Sequence, residues 1–521
     1  MKPVIKLLPV LLMFFSLQTA IFAQSDRMGT QPSAPAAGTG FPGIEPDPKA
    51  LDFFRRGEGP VKSNPGGIRN YSWTDLAEMS LWASGETAVS SMSAASGLER
   101  IRNISVDINS SPLFPITGEG RAEFILEYMH KNLLKTYSIN QTGIDILLSA
   151  GRFNCVSSAV MYMILCKSAG LDVTGVVTRD HAFVSVNISG EVIDVETTNL
   201  YGFDPGSRRE FHDQFGKLTG FTYVPARNYR DRQGISQAEL VSLILWNRIV
   251  DLESGNRFGE AVSLAVDRTA LLHGSKMAIN KDSYSPLFVN PYQSLLDRIF
   301  NYGTFLLRAG REEDCLRWAA LASPEYPDEK RWQDFAYAAA NNRINKFMRS
   351  SQLSEAKNFL DLHRSLLSQD SYERLDVLLL DAELAVGVNG IRNTADGDKV
   401  ITAIDEAGKS GKISGERSSQ LLTAAVQKTA AIISAAPGMD WPGAIKYIEN
   451  AISRFGPNRE LDQALRVYQS NRAADFHNRF ASAWNRGNYD EAVNILNNGL
   501  SEFPGDRRLL ADRELVERNR R

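Results

Sequence analysis

In the run GRFNCVSSAVMYMILCKSAGL, residues 151–171, a cysteine stands at the head of a strongly apolar, helix-like segment. Asn154 is an N-cap candidate and Gly170 a stop, which predicts a helix from about Cys155 to Ala169 with the Cys155 thiol in its first turn. There the unsatisfied amides and the positive end of the helix dipole favour thiolate over a thiol whose pKa is ordinarily near about 8.5. The chemistry this points to is nucleophilic catalysis by a thiolate. Cys166 lies mid-helix among Met163, Leu165 and Ala169 and reads as inert core. The two cysteines of one helix would be about 16 Å apart, and a disulfide needs Cα atoms within about 7 Å, so they cannot bridge.

A nucleophilic cysteine needs a base, usually histidine, and a group that orients it. The chain has six histidines. His181, in TRDHAF, opens a predicted strand shortly after the cysteine helix. A hairpin turn centred on Ser189-Gly190 pairs Ile188 with Glu191, and therefore Ser185 with Asp194, Phe183 with Glu196 and His181 with Thr198. In that register Ala182, Val184, Val186, Ile188, Ile193 and Val195 share one face, as a half-buried hairpin requires. On the other face His181 and Glu196 are diagonal neighbours, roughly 7 Å between backbones and within side-chain reach. Glu196 is the preferred orienting carboxylate. Asp194 is the alternative, because a bulge at the strand start would shift the pairing.

The elements that must position these groups follow from the change of apolar period. Helical spacing begins at Trp73, Leu76, Met79, Leu81 and Trp82, resumes at Ile101, and firms up over Ala122–Tyr137. After Leu171 the runs DVTGVVT, HAFVSVNI and EVIDVETT read as strands. Helices followed by an antiparallel strand set predict an α+β domain with the cysteine helix packed on one face of a sheet. YGFDPGS, residues 201–207, reads as a turn after the acid. His130, His212, His273, His363 and His477 lack a matching partner in sequence and are read as structural or surface residues.

Together, GRFNCVSSAVMYMILCKSAGL, DHAFVSV and VIDVETT resemble the transglutaminase-like superfamily, a papain-related cysteine fold. In that family a cysteine begins a helix, histidine follows on a strand in an H-A-W-like motif, and an acid lies on the next strand in a D-P-T-like motif. His181-Ala182-Phe183 matches the first with Phe for Trp. Glu196-Thr197-Thr198 matches the second with Glu for Asp and Thr for Pro. The resemblance covers about residues 115–210. It implies acyl transfer with Cys155, His181 and Glu196 as a triad, and no metal or cofactor; no calcium loop of EF-hand type is present in the sequence.

After about Gln237 the chain is helical almost throughout. Gly487, Ala492, Gly499 and Pro504 share their spacing with Gly310, Cys315, Ala322 and Pro327; Ala356, and Ala444 with Ala451, fall on related patterns, and GNRFGEAVSLA from Gly255 is a looser copy. Small residues at fixed offsets let two helices approach closely, and the proline ends the second. This resembles a degenerate tetratricopeptide repeat array, a segment that binds or braces rather than catalyses.

MKPVIKLLPVLLMFFSLQTAIFAQS has lysines ahead of an apolar core and small residues near Ala23, the pattern of a secretory signal peptide. Residues 24–68 are dense in Pro, Gly, Ser and Ala and read as a flexible leader. The expected organisation is therefore a signal over 1–23, a leader over 24–68, a transglutaminase-like domain with preceding helices over 69–236, and helical repeats over 237–521. No later segment is long and apolar enough to span a bilayer, so an exported protein, periplasmic or extracellular, is expected. Net charge is −3 over 521 residues with no long basic block, which sets nucleic acid aside. Three cysteines are not a disulfide framework. The functional expectation is an exported cysteine protease or amidase, less a crosslinker, with a protein or peptide substrate and a possible protein partner on the repeats. The rival is a non-catalytic exported binding scaffold that retains the fold.

Overall fold

The computed structural model describes residues 41–57, 70–85, 93–205, 232–275, 288, 290–327, 329, 331–436 and 439–519. The expected signal peptide and His212 lie outside them. The protein is mostly helical with a small antiparallel sheet, and it packs as two units, Met1–Glu329 and Lys330–Arg521.

The first unit is built around one helix. Its opening helices are α1 (Pro48–Arg56), α2 (Trp73–Ser84), α3 (Ala94–Asn109) and α4 (Gly118–Asn132). After them come β1 (Thr136–Tyr137), α5 (Ile144–Ala150), β2 (Arg152–Phe153) and α6 (Cys155–Ser168). Helix α6 carries no charge before Lys167, so it has no face to give to water, and every residue from Cys155 to Cys166 is buried. It packs against α2 and α4, against strands β3 (Asp172–Val177) and β4 (Ala182–Ile188), and against α7 (Gln237–Ser254). With β5 (Glu191–Val195) and β6 (Gln233–Ile235) the strands form one sheet in the order β5-β4-β3-β6.

The hairpin register is the expected one, with Ile188 opposite Glu191 and Ser185 opposite Asp194. Ser189 and Gly190 both adopt positive φ at its turn, the requirement of a two-residue connection. Ala182, Val184, Val186 and Val195 are buried on the core face, with Ile188 and Ile193 at its margin.

Two expectations about organisation are corrected. The leader contains a docked helix: Asp47 caps α1 and its backbone N–H donates to Asp267 Oδ1 at 2.8 Å, while Ala50 and Phe53 are buried. Proline at the start of a helix is tolerated because its missing N–H would be unpaired there anyway. The boundary expected at 236/237 falls inside a continuous core: Ala238, Leu240, Val241, Leu243, Ile244 and Leu245 of α7 belong to the same cluster as Cys155 and Val156. Helix α7 packs on α6 and β3 before the chain continues into α8 (Phe258–His273), α9 (Pro291–Arg308) and α10 (Glu312–Ala322).

The second unit is all helix. Its elements are α11 (Arg331–Arg349), α12 (Leu353–Leu362), α13 (Gln369–Gly390), α14 (Thr394–Lys409), α15 (Gly415–Ser434), α16 (Trp441–Phe455), α17 (Arg459–Asn485), α18 (Tyr489–Glu502) and α19 (Arg507–Asn519). Each packs on its successor, and α11, α13, α15 and α17 also meet the second helix along.

One interhelical turn recurs across the chain and gives the small-residue spacing a structural meaning. Asn256, Gly310, Ser351, Met439 and Gly487 all have positive φ. Each precedes by five positions a fully buried small side chain, namely Ala261, Cys315, Ala356, Ala444 and Ala492. In four of them the next residue's N–H reaches back to the helix, as Arg257 to Leu252, Arg311 to Leu306, Gln352 to Phe347 and Asn488 to Ala483 carbonyls. That is the Schellman closure, which wants glycine at its left-handed position. Ser351 carries a side chain there at φ 58°. Ser351→Gly is therefore expected to stabilise the protein by up to about 1 kcal/mol, read as a higher urea midpoint at unchanged m-value.

Candidate active site

Cys155 is placed by a short two-strand clamp. β1 and β2 pair in parallel, Tyr137 opposite Phe153, and Ser138 N–H donates to the Phe153 carbonyl at 2.8 Å. Asn154 follows directly as the N-cap. Its Oδ1 accepts from the amides of Val156 and Ser157, both at 3.0 Å, while its own N–H donates to Ser157 Oγ at 2.9 Å. The Ser158 amide bonds to the Asn154 carbonyl. The cap thus consumes three amides of the first turn and leaves that of Cys155, which carries the thiol.

His181 sits immediately before β4, where Thr178 N–H closes the β3–β4 connection on the His181 carbonyl at 2.9 Å. Its Nε2–H donates to Glu196 Oε2 at 2.5 Å, and its ring lies beside the Cys155 side chain. With Nε2 committed to the acid, Nδ1 is the ring nitrogen left for the thiol. All three groups are buried, Cys155 being 2%, His181 3% and Glu196 0% exposed. Burial opposes charge on the imidazole, but the Glu196 carboxylate and the thiol beside it prevail and raise its pKa well above the usual 6.5.

Glu196 arrives by a different route from the expected one. The β4–β5 ladder ends at Val184 opposite Val195, and the chain then leaves the sheet in a closed turn. Glu196 N–H donates to the Gly202 carbonyl at 2.8 Å and Gly202 N–H to the Asn199 carbonyl at 3.0 Å. Glu196 Oε1 accepts from Thr198 Oγ1 at 2.7 Å and Thr198 N–H at 3.2 Å. Thr197 Oγ1 meets Ser158 Oγ at 2.8 Å, one turn along the cysteine helix, and the Thr197 carbonyl accepts from His130 Nε2 at 3.2 Å.

Asp194 is engaged elsewhere. Arg232 grips both of its oxygens at 2.7 Å, and Ser185 Oγ donates to Oδ1 at 2.8 Å. The same guanidinium lies 5.3 Å over the Phe183 ring, which in turn stacks 6.3 Å from His181. Of the two acids considered, the geometry brings Glu196 and not Asp194 to the imidazole.

Three contributors were not singled out in sequence. Thr198 follows the acid by two positions, a spacing that suits a local side-chain bond. Arg232 precedes β6 and has no sequence link to Asp194. Tyr137, expected at the end of a helix over Ala122–Tyr137, lies instead on a two-residue strand, because α4 ends at Asn132. Its hydroxyl is buried and has no hydrogen-bond partner among the described residues. Burial, with Cys155 and Glu196 nearby, pushes its pKa well up, so it stays a neutral O–H donor.

Cys166 and Cys315 are fully buried, and burial pushes both thiols up, Cys315 to about 12. Outside the site, His363 Nδ1 donates to the Phe359 carbonyl at 2.9 Å. His477, expected to lack a partner, meets Asp512 at 2.7 Å. Among the described residues no group of three or more His, Cys, Asp and Glu could hold a metal ion, and no helix is long and apolar enough to cross a membrane.

No protein-family model matches the sequence, and no curated protein is similar enough to match it. Among solved structures there is a likeness to menin, in the crystal structure that reveals its binding site for the Mixed Lineage Leukemia protein. It has 12% identity over 84% of this chain and 94% of that one, at a TM-score of 0.28. A second is to Naa15/Naa10 bound to HypK-THB, with 10% identity over 78% of this chain and 49% of that one, at a TM-score of 0.14. Likenesses this distant carry no argument about the site.

Proposed function

We propose that the chain is an exported transglutaminase-like cysteine enzyme that cleaves peptide or amide bonds by acyl transfer. The observation that carries this reading is the buried chain of contacts from Cys155 through the His181 ring to Glu196, with Nε2 and Oε2 at 2.5 Å. The Cys155 thiolate attacks the carbonyl carbon, and the carbonyl π pair moves to oxygen. The Cys155 amide, left over by the cap, donates to that oxyanion, and the Tyr137 hydroxyl is a second donor within the same site. Collapse breaks the C–N bond as the His181 imidazolium protonates the departing amine, leaving a thioester. The neutral imidazole then takes a proton from water, whose attack releases acid and regenerates the thiol. An amine in place of water would give crosslinking.

The helical part is assigned the holding of a protein partner or substrate, as tetratricopeptide-like arrays do; the recurrent turn of Asn256, Gly310, Ser351 and Gly487 supports that assignment. The signal-like N-terminal run supports a periplasmic or extracellular location. One observation favours the rival reading, a binding scaffold without catalysis: the three site residues are almost wholly enclosed.

Profiling peptide and isopeptide libraries by mass spectrometry with wild type and Cys155→Ala decides between them. Cleavage or transfer products present only with wild type support the enzyme, and identical profiles remove it. The assignment of the acid has its own test. Glu196→Gln is expected to lower kcat on any substrate so found by at least about tenfold, the loss of one charge-assisted hydrogen bond. Asp194→Asn should alter stability more than kcat.

A further inference from the structure

A glutamate is one methylene longer than the aspartate its motif leads one to expect, and a longer side chain has more ways to miss the imidazole. Ordering a free glutamate in one orientation costs rotamer entropy. In this site that freedom is removed locally. Thr198 donates twice to Oε1, from Oγ1 at 2.7 Å and from its backbone at 3.2 Å, which folds the side chain back over its own turn and leaves Oε2 facing His181. The turn is itself tied down on both sides, by Ser158 Oγ on Thr197 Oγ1 and by His130 on the Thr197 carbonyl. Glu196, Thr197 and Thr198 are all 0% exposed, so no water competes for these donors.

We propose that Thr198 is a positioning residue that presents Glu196 to His181 in a single orientation, and so allows glutamate to serve as the third member of the site. The inference rests on the reading of Cys155 and His181 given above. Its physical content is directional. The two donors fix the carboxylate, the carboxylate orients the imidazole, and the imidazole is the base beside Cys155. Thr198 therefore acts on the thiol through two intermediaries and touches neither the thiol nor the carbonyl under attack.

The experiment follows the alkylation rate of Cys155 by iodoacetamide against pH in the full-length protein, with the modified cysteine identified by peptide mapping. Thr198→Val keeps the side-chain shape and backbone donor but removes the hydroxyl. It is expected to move the alkylation midpoint up by about one pH unit, about tenfold in rate below the midpoint. Thr198→Ser, which keeps the hydroxyl, should return the midpoint to the wild-type value. In a Glu196→Gln background Thr198→Val should add no further shift, since its effect runs through the carboxylate. A merely structural role would lower the melting temperature of Thr198→Val without moving the midpoint, and that result overturns the proposal. So does a shift of equal size in Thr198→Ser. If wild-type Cys155 shows no preferential alkylation at any pH, the nucleophile reading falls and takes this inference with it; a normal wild-type profile with an unmoved Thr198→Val removes the positioning role alone.

Discussion

His181→Gln is expected to slow alkylation of Cys155 at pH 6.5 by about a hundredfold, because it removes the base beside the thiol, and a positioned base contributes at least about a hundredfold. Glutamine is chosen over alanine so that Glu196, fully buried, keeps an N–H donor. Stripping a buried carboxylate of its partner costs about 3–5 kcal/mol and would confuse loss of fold with loss of reactivity. The same substitution has a signed pH dependence. The folded-state pKa of His181 is raised, so its contribution to stability is complete below its unfolded value near 6.5 and is lost as pH rises through the raised value. The stability advantage of wild type over His181→Gln should therefore shrink as the buffer is made alkaline. Hydrolysis that uses the imidazolium as acid should decline over that same alkaline range. Denaturant titrations at several pH values, run beside the alkylation assay, read both effects.

Gly202→Ala is the second large effect. A Cβ at this position would sit 1.9 Å from the Glu196 carbonyl oxygen and 2.9 Å from that of Asn199, both of them backbone atoms with no side chain to swing aside. The turn from Glu196 to Gly202 must open, and with it go the bonds of Glu196 N–H and Gly202 N–H that close it. Each buried group left unpaired costs about 1–3 kcal/mol, so a loss of about 3–5 kcal/mol is expected, together with separation of Glu196 from His181. Gly234→Ala is the control: its nearest neighbour would be Thr174 Cγ2 at 3.7 Å, an ordinary contact. Gly202→Ala should lose both stability and Cys155 reactivity, whereas Gly234→Ala should keep the reactivity.

What was legible in the sequence is what has a period or a cap. The α6 helix could be bounded because Asn154 and Gly170 bracket an uninterrupted apolar run, and the hairpin register because a one-residue slip would turn Val184, Val186 and Val195 out of the core. Glu196 was found by extending that register, although the strand ends one residue short of it and a closed turn makes the delivery. Tyr137 was read as the end of a helix, since a two-residue strand has no period of its own, and Arg232 gave no signal, since it meets Asp194 from 38 positions away. The 236/237 boundary misled for a related reason. The apolar pattern of Gln237–Ser254 says that the helix is buried but not by what, and in this fold α6 and β3 share in covering it. The helical repeats were legible as spacing; the left-handed turn that fixes the spacing shows only in the backbone.

The central claim is that Cys155 alone among the three cysteines is activated. Native wild-type protein treated with limiting iodoacetamide at pH 7, quenched over time and mapped by peptide mass, measures this for Cys155, Cys166 and Cys315 in one sample. Modification of Cys155 is expected at least about a hundredfold faster than of the other two, whose thiols are held neutral by burial, with loss of that preference in urea. Equal rates for the three, or no modification of Cys155 until the protein unfolds, would contradict it.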